Sequence, residues 1–423
     1  MGANWQLSAT VANAANQNVT WSISPSGATS GTIGSGTGIY IAPNAVPSPA
    51  TVTITATSVA DSSATASVPV TIVANDPIGS VASYTQFPGP QSCPASSFDY
   101  GSNYGGQGTC FQLAVSCPLV SDFSAYLKVN TPPVVPAGTV LFGVGTGGSG
   151  LYDDPATGFA DGSTTVGDLL TSGFNTVQVS FGGPFDSGST PRGWLTGPGG
   201  VRRLACRYAT VADWVYKNPT IINSAVSASN SAPMCATGNS GGSAVIAYAV
   251  YEYGLASEFA MIEPTSGPVM SRIDQGCSPT CSSAQGPICS GSSNVATMCY
   301  ESADAQIIDE AYQSAGTSTP TPCQDSIAGN PATGAVALLL SDSILYEPGQ
   351  TVNLPNTIVK QLFGDADTSN AVPEGLTWSL AISPSSASPN PEYQCLASPV
   401  AHDIPSYAAG ATQIANDIAA ACH

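Results

Sequence analysis

The chain has 423 residues, of which 42% are hydrophobic and only 8% are charged, whereas ordinary soluble domains have roughly 25% charged residues. Its 8 Lys and Arg residues oppose 27 Asp and Glu residues, so the formal net charge is −19. Such a surface repels phosphates and acidic polymers, which argues against a nucleic acid partner and favours a neutral substrate. The length predicts two or three domains.

The first segment, residues 1–75, has the pattern of a small all-β domain. Short runs of alternating apolar and polar residues are separated by turns rich in Gly, Pro, Ser and Asn, and the segment contains no cysteine. This pattern predicts a β-sandwich. The runs occupy residues 5–11, 19–23, 38–41, 50–56 and 64–73.

Three of these runs carry a resemblance to a known family: VTWSI at 19–23, GIYIAP at 38–43 and VTITATS at 52–58. They resemble bacterial Ig-like domains of secreted and cell-surface proteins, and the resemblance covers nearly all of the segment. It implies a spacer or an attachment module for a surface or polymer, without catalytic residues. Residues 75–79 are predicted to be the linker to a second domain, residues 80–423.

Beyond residue 80 the pattern changes to strands that alternate with helices. Such alternation predicts a three-layer α/β domain with a mostly parallel sheet. Residues 80–110 receive no predicted element. The predicted strands are 138–144, 176–181, 234–237, 258–262 and 357–363. The predicted helices are 165–172, 201–217, 243–253 and 410–420, with one more after 372–375.

Residues 270–350 interrupt this alternation with a segment rich in Ser, Gly and Cys. Only one helix is predicted there, at 303–312. An insertion at this point predicts a cap over an active site. The alternative is a disulfide-pinned surface insertion with no role in substrate choice.

The pentapeptide GNSGG at residues 238–242 is the most informative motif. It has the form G-x-S-x-G and lies between an apolar run and a helical pattern, as the nucleophile elbow of an α/β-hydrolase requires. The sharp turn needs small neighbours, and the helix N-terminus directs free N–H groups at a developing oxyanion. The alternative is a Gly/Ser turn without chemistry, in a chain with 44 glycines.

Histidine is scarce, which limits the choice of a catalytic base. The chain has 2 histidines, His402 and the terminal His423, so His402 is the candidate base for Ser240. Asp367, after the strand 357–363, is the candidate carboxylate, and Asp365 is its rival. The alternative for His402 is a loop histidine with no role.

The order Ser240, Asp367, His402 is that of the α/β-hydrolase superfamily. Residues 110–423 resemble this superfamily, most closely its secreted esterases and polyester-depolymerase-like members. The resemblance implies a Ser-His-Asp triad and an oxyanion hole that includes the N–H of Gly241. A second donor would come from the glycine-rich loop 145–150, from Gly148 or Ser149, although this loop lacks the histidine of the HGGG type.

The cysteines predict an oxidising compartment. Their even number, 12, and their loop-like spacing indicate disulfides and therefore export. No signal peptide or membrane-length apolar run is present, and the opening residues resemble a replacement for a removed export signal. A bond between Cys395 and Cys422 would pin the loop of His402, whereas Cys206 and Cys235 are not expected to pair.

Metal sites are weak alternatives. Zinc binding is the alternative to disulfide formation for Cys277 and Cys281, but the sequence has no nearby histidine and no second closely spaced cysteine pair. Calcium competes for the loop acids at 153, 154 and 161, which are expected to be solvated instead.

The sequence therefore predicts a secreted serine hydrolase that cleaves carboxylic esters, in a neutral polymer or a small molecule, through an acyl-enzyme and without a cofactor or metal. One alternative is a serine peptidase of the prolyl-oligopeptidase kind, whose usual propeller domain has no counterpart here. The other is a non-catalytic surface or adhesion protein on a hydrolase scaffold.

Overall fold

The computed structural model divides the chain into two compact units. The smaller comprises Met1–Asp76 and Thr351–Leu354, and the larger comprises Pro77–Gln350 and Pro355–His423. The structure describes residues 4–43, 46–72, 74–88, 93–94, 98–156, 158–185, 192–226, 233–281, 289, 296–346, 350–384, 392–397 and 399–423.

The described elements of the smaller unit are strands and one short 3-10 helix. Its two three-stranded sheets are antiparallel and have the orders β1-β4-β3 and β2-β5-β6. In β5, Val52 and Ile54 face the core, because alternate side chains of a strand point to one side. The predicted run 5–11 forms a strand only as far as Gln6. The strands are β1 (Asn4–Gln6), β2 (Val19–Ser24), β3 (Thr32–Ile33), β4 (Ile39–Ile41), β5 (Thr51–Ser58) and β6 (Thr65–Thr71).

The larger unit is built on one nine-stranded sheet with the order β15-β14-β13-β12-β10-β11-β9-β8-β7. The six strands β11, β10, β12, β13, β14 and β15, in this spatial order, pair in parallel. The strands β9, β8 and β7 follow β11 and pair antiparallel. The strands are β7 (Ser80–Gln86), β8 (Thr109–Ser116), β9 (Phe123–Asn130), β10 (Gly138–Gly143), β11 (Phe174–Ser180), β12 (Met234–Asn239), β13 (Phe259–Thr265), β14 (Ile358–Gly364) and β15 (Glu392–Leu396).

Helices cover both faces of this sheet. The first and last helices, α1 and α11, pack together and share a core cluster with Val140 and Phe142 of β10. Leu141 points to the opposite face and is also fully buried. The helices are α1 (Gly162–Thr171), α2 (Val201–Leu204), α3 (Cys206–Lys217), α4 (Pro219–Ile222), α5 (Gly241–Tyr251), α6 (Ile273–Gly276), α7 (Ser302–Glu310), α8 (Pro322–Ile327), α9 (Ala335–Asp342), α10 (Ala371–Ala381) and α11 (Ala408–Ala421).

The strand order reverses beside β10, and this reversal positions the site. The chain passes from β10 to its neighbour β11 and then returns to β12 on the other side of β10. The loops that leave β10 and β12 therefore diverge and open a crevice at the carboxyl ends of these strands. Ser240 directly follows β12, so it lies at this crevice. The large, mostly parallel sheet fits an α/β-hydrolase fold.

The elements differ from the predicted ones in three places. The helix predicted over 201–217 is split at Ala205 into α2 and α3. The insertion 270–350 contains α6, α7, α8 and α9 rather than one helix, because short disulfide-bonded helices show little apolar periodicity. The two edge strands, β7 and β15, and the strands β8 and β9 beside β7 carry no prediction.

All twelve cysteines form disulfides, and Cys395 and Cys422, whose pairing would have pinned the loop of His402, are bonded to other cysteines. Cys422 follows α11, which packs on the sheet face beside Cys235 at the start of β12. The sulfurs of Cys277 and Cys281 are bonded to cysteines, so they are not zinc-binding thiolates. The pairs are Cys93–Cys110, Cys117–Cys206, Cys235–Cys422, Cys277–Cys323, Cys281–Cys299 and Cys289–Cys395.

The expectation of solvated acids at 153 and 154 is also wrong. Asp153 is fully buried, and Asp154 is only 5% exposed. Asp153 forms an ion pair with Lys128 at 2.6 Å and accepts hydrogen bonds from Tyr100 Oη and Gln178 Nε2, both at 2.8 Å. Its carboxylate is thus compensated by side chains of the fold. In the part of the chain that the structure describes, no helix combines the length and apolarity that a bilayer crossing needs.

Candidate active site

Ser240 occupies the turn between β12 and α5 in a strained conformation. Its φ is 55° and its ψ is −118°, a backbone region that residues other than glycine rarely adopt. Its N–H donates to Thr265 O at 3.0 Å, and its carbonyl accepts from Ser243 N at 3.0 Å. The backbone on both sides of the turn is therefore fixed, as expected for a nucleophile elbow.

The glycines after Ser240 are required by close backbone approach. A Cβ on Gly241 would lie 1.9 Å from Thr146 O, and one on Gly242 would lie 2.3 Å from Gly143 O. Only glycine permits α5 to start this close to β10 and the loop that follows it. The motif thus has a steric origin, whatever chemistry the serine performs.

The loops after β14 and β15 bring Asp367 and His402 together. Backbone hydrogen bonds from Asp365 N to Leu396 O and from Ala366 N to Val400 O, both 2.8 Å, join the two loops. A Cβ on Gly364 would lie 2.5 Å from Val400 O, so the approach again depends on glycine. As a result, His402 Nδ1 lies 3.1 Å from Asp367 Oδ2.

Ser369 completes this arrangement and was not predicted from the sequence. Its N–H donates to Asp367 Oδ1 at 2.9 Å, and its Oγ lies 3.0 Å from His402 Nδ1. Because Nδ1 faces a carboxylate and a hydroxyl, it carries the imidazole proton. Nε2 is then the nitrogen left to accept a proton.

The electrostatics of the pair favour its charged form. Burial raises the pKa of the Asp367 carboxyl, but the hydrogen bond and charge of His402 outweigh it and lower that pKa below its usual value. Burial likewise lowers the pKa of His402, but the hydrogen bond and charge of Asp367 raise it above its usual value. An imidazolium at His402 would therefore be stabilised by Asp367.

Ser240, His402 and Asp367 line one cavity of about 550 Å³. No hydrogen bond joins Ser240 Oγ to His402 among the described residues. Catalytic hydrogen bonds often tighten only when a substrate is bound. The insertion 270–350 forms one wall of this cavity, where it contributes Met270, Thr297, Cys299, Tyr300, Glu301, Asp304, Ile307 and Ile308.

The loop after β10 brings Thr146, rather than Gly148 or Ser149, to this cavity. Gly148 N donates to Gly145 O at 3.0 Å, and a Cβ there would contact Phe181 at 3.3 Å. Thr146 lies next to Gly241 and has a φ of 53°, which is unusual for a β-branched residue. Its position just beyond the end of β10 is the sequence signal that could have identified it.

No protein-family model matches this sequence, and no curated protein matches it. Several solved structures are similar to the chain. Est1E from Butyrivibrio proteoclasticus is 10% identical with a TM-score of 0.40, over 73% of this chain and 96% of that one. A bacterial heroin esterase is 14% identical with a TM-score of 0.41, over 74% and 85%.

An esterase from the archaeon Pyrobaculum calidifontis is 12% identical with a TM-score of 0.39, over 74% of this chain and 84% of that one. At these identities and scores, the likeness carries no argument about activity. The geometry of the site is therefore what indicates its chemistry.

Proposed function

We propose that this chain is a serine hydrolase of the α/β-hydrolase superfamily that cleaves carboxylic esters through an acyl-enzyme. One observation carries the proposal. Ser240 is held in a strained strand-to-helix turn and lines the same cavity as His402, whose Nδ1 is 3.1 Å from Asp367. The three side chains that would act as nucleophile, base and orienting carboxylate thus line one crevice, which supports the proposal.

In the proposed reaction, Ser240 Oγ attacks the ester carbonyl while His402 Nε2 takes the hydroxyl proton. Asp367 holds the Nδ1–H tautomer and stabilises the resulting imidazolium. The tetrahedral intermediate then collapses, the C–O bond to the alcohol breaks, and Nε2–H protonates the departing alcohol. Water, deprotonated by His402, releases the acid from the acyl-serine and restores the Ser240 hydroxyl.

The oxyanion of this intermediate would be bound by the amides of Gly241 and Thr146. Both residues line the cavity, and neither amide donates to an acceptor among the described residues. Gly241 is also the first residue of α5, where the helix dipole favours negative charge. We thus infer Thr146 as the second donor in place of Gly148 or Ser149.

The proposed function predicts turnover of small esters and labelling of one serine. We expect hydrolysis of p-nitrophenyl esters, much slower cleavage of aminoacyl p-nitroanilides, and covalent labelling of Ser240 by a fluorophosphonate. Parallel assays measure the hydrolysis of both substrate classes, and mass spectrometry of the labelled peptide identifies the labelled serine. Faster cleavage of the anilides would favour the peptidase alternative, and no turnover with no labelling would favour the non-catalytic alternative.

We further infer that the protein is exported and that the smaller unit is a separate Ig-like attachment module. The six disulfides fit an oxidising compartment. The smaller unit has its own core around Tyr40, Val52 and Ile54, and the resemblance assigns it no catalytic residue.

A chain that begins at Asp76 should therefore keep full activity on small soluble esters. Val352 and Leu354, which belong to the smaller unit and are buried, stay behind in this variant. Without the rest of the smaller unit, these two apolar side chains become exposed. A second variant that also carries Val352→Ser and Leu354→Ser controls for this exposure. Loss of small-ester turnover in both versions would contradict two separable domains, whereas weaker activity on an insoluble polyester alone would support an attachment role.

A further inference from the structure

One face of helix α7 looks into the catalytic cavity. Glu301 just before the helix, Asp304 and Ile308 are spaced by three and four residues, which places them on one side of a helix. Asp304 Oδ2 accepts a hydrogen bond from Asn370 Nδ2 at 2.7 Å, next to Ser369. The face is therefore fixed to the loop that carries the catalytic carboxylate.

The far end of this face is apolar. Ile307 is half-buried and Ile308 is buried, and both line the cavity together with Val269 and Met270. These side chains offer an apolar surface to one of the groups that flank the scissile ester. Burying a hydrocarbon group against such a surface favours binding by an amount proportional to the area removed from water.

The near end of the face is acidic. Glu301, Asp304 and Asp367 all line the cavity, and none of the described lining residues is a lysine or an arginine. A substrate carboxylate or phosphate entering this space would leave water and meet three carboxylates. The one described lining side chain that can carry positive charge, His402, is neutral when it acts as a base. Such like-charge juxtaposition in a partly desolvated site is strongly unfavourable.

We propose that the cavity selects neutral esters with an apolar group and rejects esters that carry an anionic group. Three residues on the cavity side of α7, Glu301, Asp304 and Ile307, set this selectivity. The inference rests on the proposed esterase function. A cavity of about 550 Å³ has room for both groups that flank the carbonyl of a small ester.

The test uses two esters of the same shape. p-Nitrophenyl 6-methylheptanoate ends in an isopropyl group, and mono-p-nitrophenyl adipate ends in a carboxylate at the same position. We expect the wild-type kcat/KM for the neutral ester to exceed that for the anionic ester by about 100-fold. This is the size of effect expected when the substrate carboxylate lies near the two partly desolvated carboxylates of Glu301 and Asp304. The variants Asp304→Asn and Glu301→Gln, which keep the side-chain shape, should each lower this ratio by roughly three- to tenfold.

Asp168→Asn is the matched control, because it removes one charge from an exposed position on α1 that does not line the cavity. It should leave the ratio unchanged. Ile307→Ala should reduce kcat/KM for the 6-methylheptanoate relative to p-nitrophenyl acetate by roughly tenfold. All ratios are measured at a pH where kcat/KM has stopped rising, after subtraction of the Ser240→Ala background and with melting curves to verify folding.

A wild-type ratio below about tenfold, or a ratio that neither charge variant lowers, overturns the proposal. In that event, turnover of both esters with fluorophosphonate labelling of Ser240 would leave the esterase function standing. Absence of both turnover and labelling would instead remove the esterase function, and this inference with it.

Discussion

Ser240→Ala and His402→Ala should each lower kcat for ester hydrolysis by roughly 10⁴- to 10⁶-fold, because neither half of a nucleophile–base pair works alone. For the same reason, the double variant should be little worse than either single variant. Steady-state kinetics on one p-nitrophenyl ester measure all three. Near-normal hydrolysis by Ser240→Ala would show that both the elbow interpretation and the function built on it are wrong.

Asp367→Asn should lower kcat less than Ser240→Ala or His402→Ala does, since it mainly removes control of the His402 tautomer. It should also move the acid limb of kcat/KM to lower pH. Asp367 raises the pKa of His402, and the base must be neutral to act, so wild-type activity is lost as pH falls through that raised pKa. Asp365→Asn is the matched control and should have a mild effect. An equal loss in both variants would contradict the role of Asp367.

Reduction of the disulfides should lower the melting temperature by many degrees, because each lost bond costs roughly 2–5 kcal/mol. The bonds should also differ from one another. Cys235–Cys422 spans 187 residues and Cys93–Cys110 spans 17. Chain entropy then predicts costs of about 5 and about 3 kcal/mol for removing the two bonds.

Double alanine variants of these two pairs, compared by denaturant unfolding, measure the difference. Thiol titration under denaturing, non-reducing conditions provides the control for the pairing itself. Mostly free thiols would contradict both the disulfide framework and the inference of export. An equal cost for the two pairs would show that chain entropy does not dominate their contribution.

The parts of the site that the sequence predicts are those that depend on local pattern or on scarcity. The turn at Ser240 is specified by adjacent glycines, and His402 stands out because histidine is rare in this chain. Thr146 was missed although it lies just beyond the predicted strand 138–144. Ser369 depends on where two loops meet in space, and serine is too common here to stand out. The roles of all these residues in catalysis remain proposals that the variants above test.

In the fold as well, the elements with a clear local pattern are predicted and those set by packing between distant segments are not. The parallel strands β10 to β14 are short apolar runs bounded by turns, so periodicity predicts them, whereas the edge strand β15 has the exposed residue Tyr393 and a weak pattern. Cysteine pairing was not predictable from the sequence. The partner of Cys422 is set by the packing of α11 across the sheet, and sequence spacing contains no information on that packing.

The bond between Cys289 and Cys395 bears on how a substrate could enter. Cys289 belongs to the insertion that walls the cavity, and Cys395 lies in β15, the strand that leads into the loop of His402. A movement of the insertion as a lid would therefore also pull on the strand that leads to His402. The wall of the cavity and the strand before His402 are thus joined by a covalent bond, so a displacement of one is transmitted to the other.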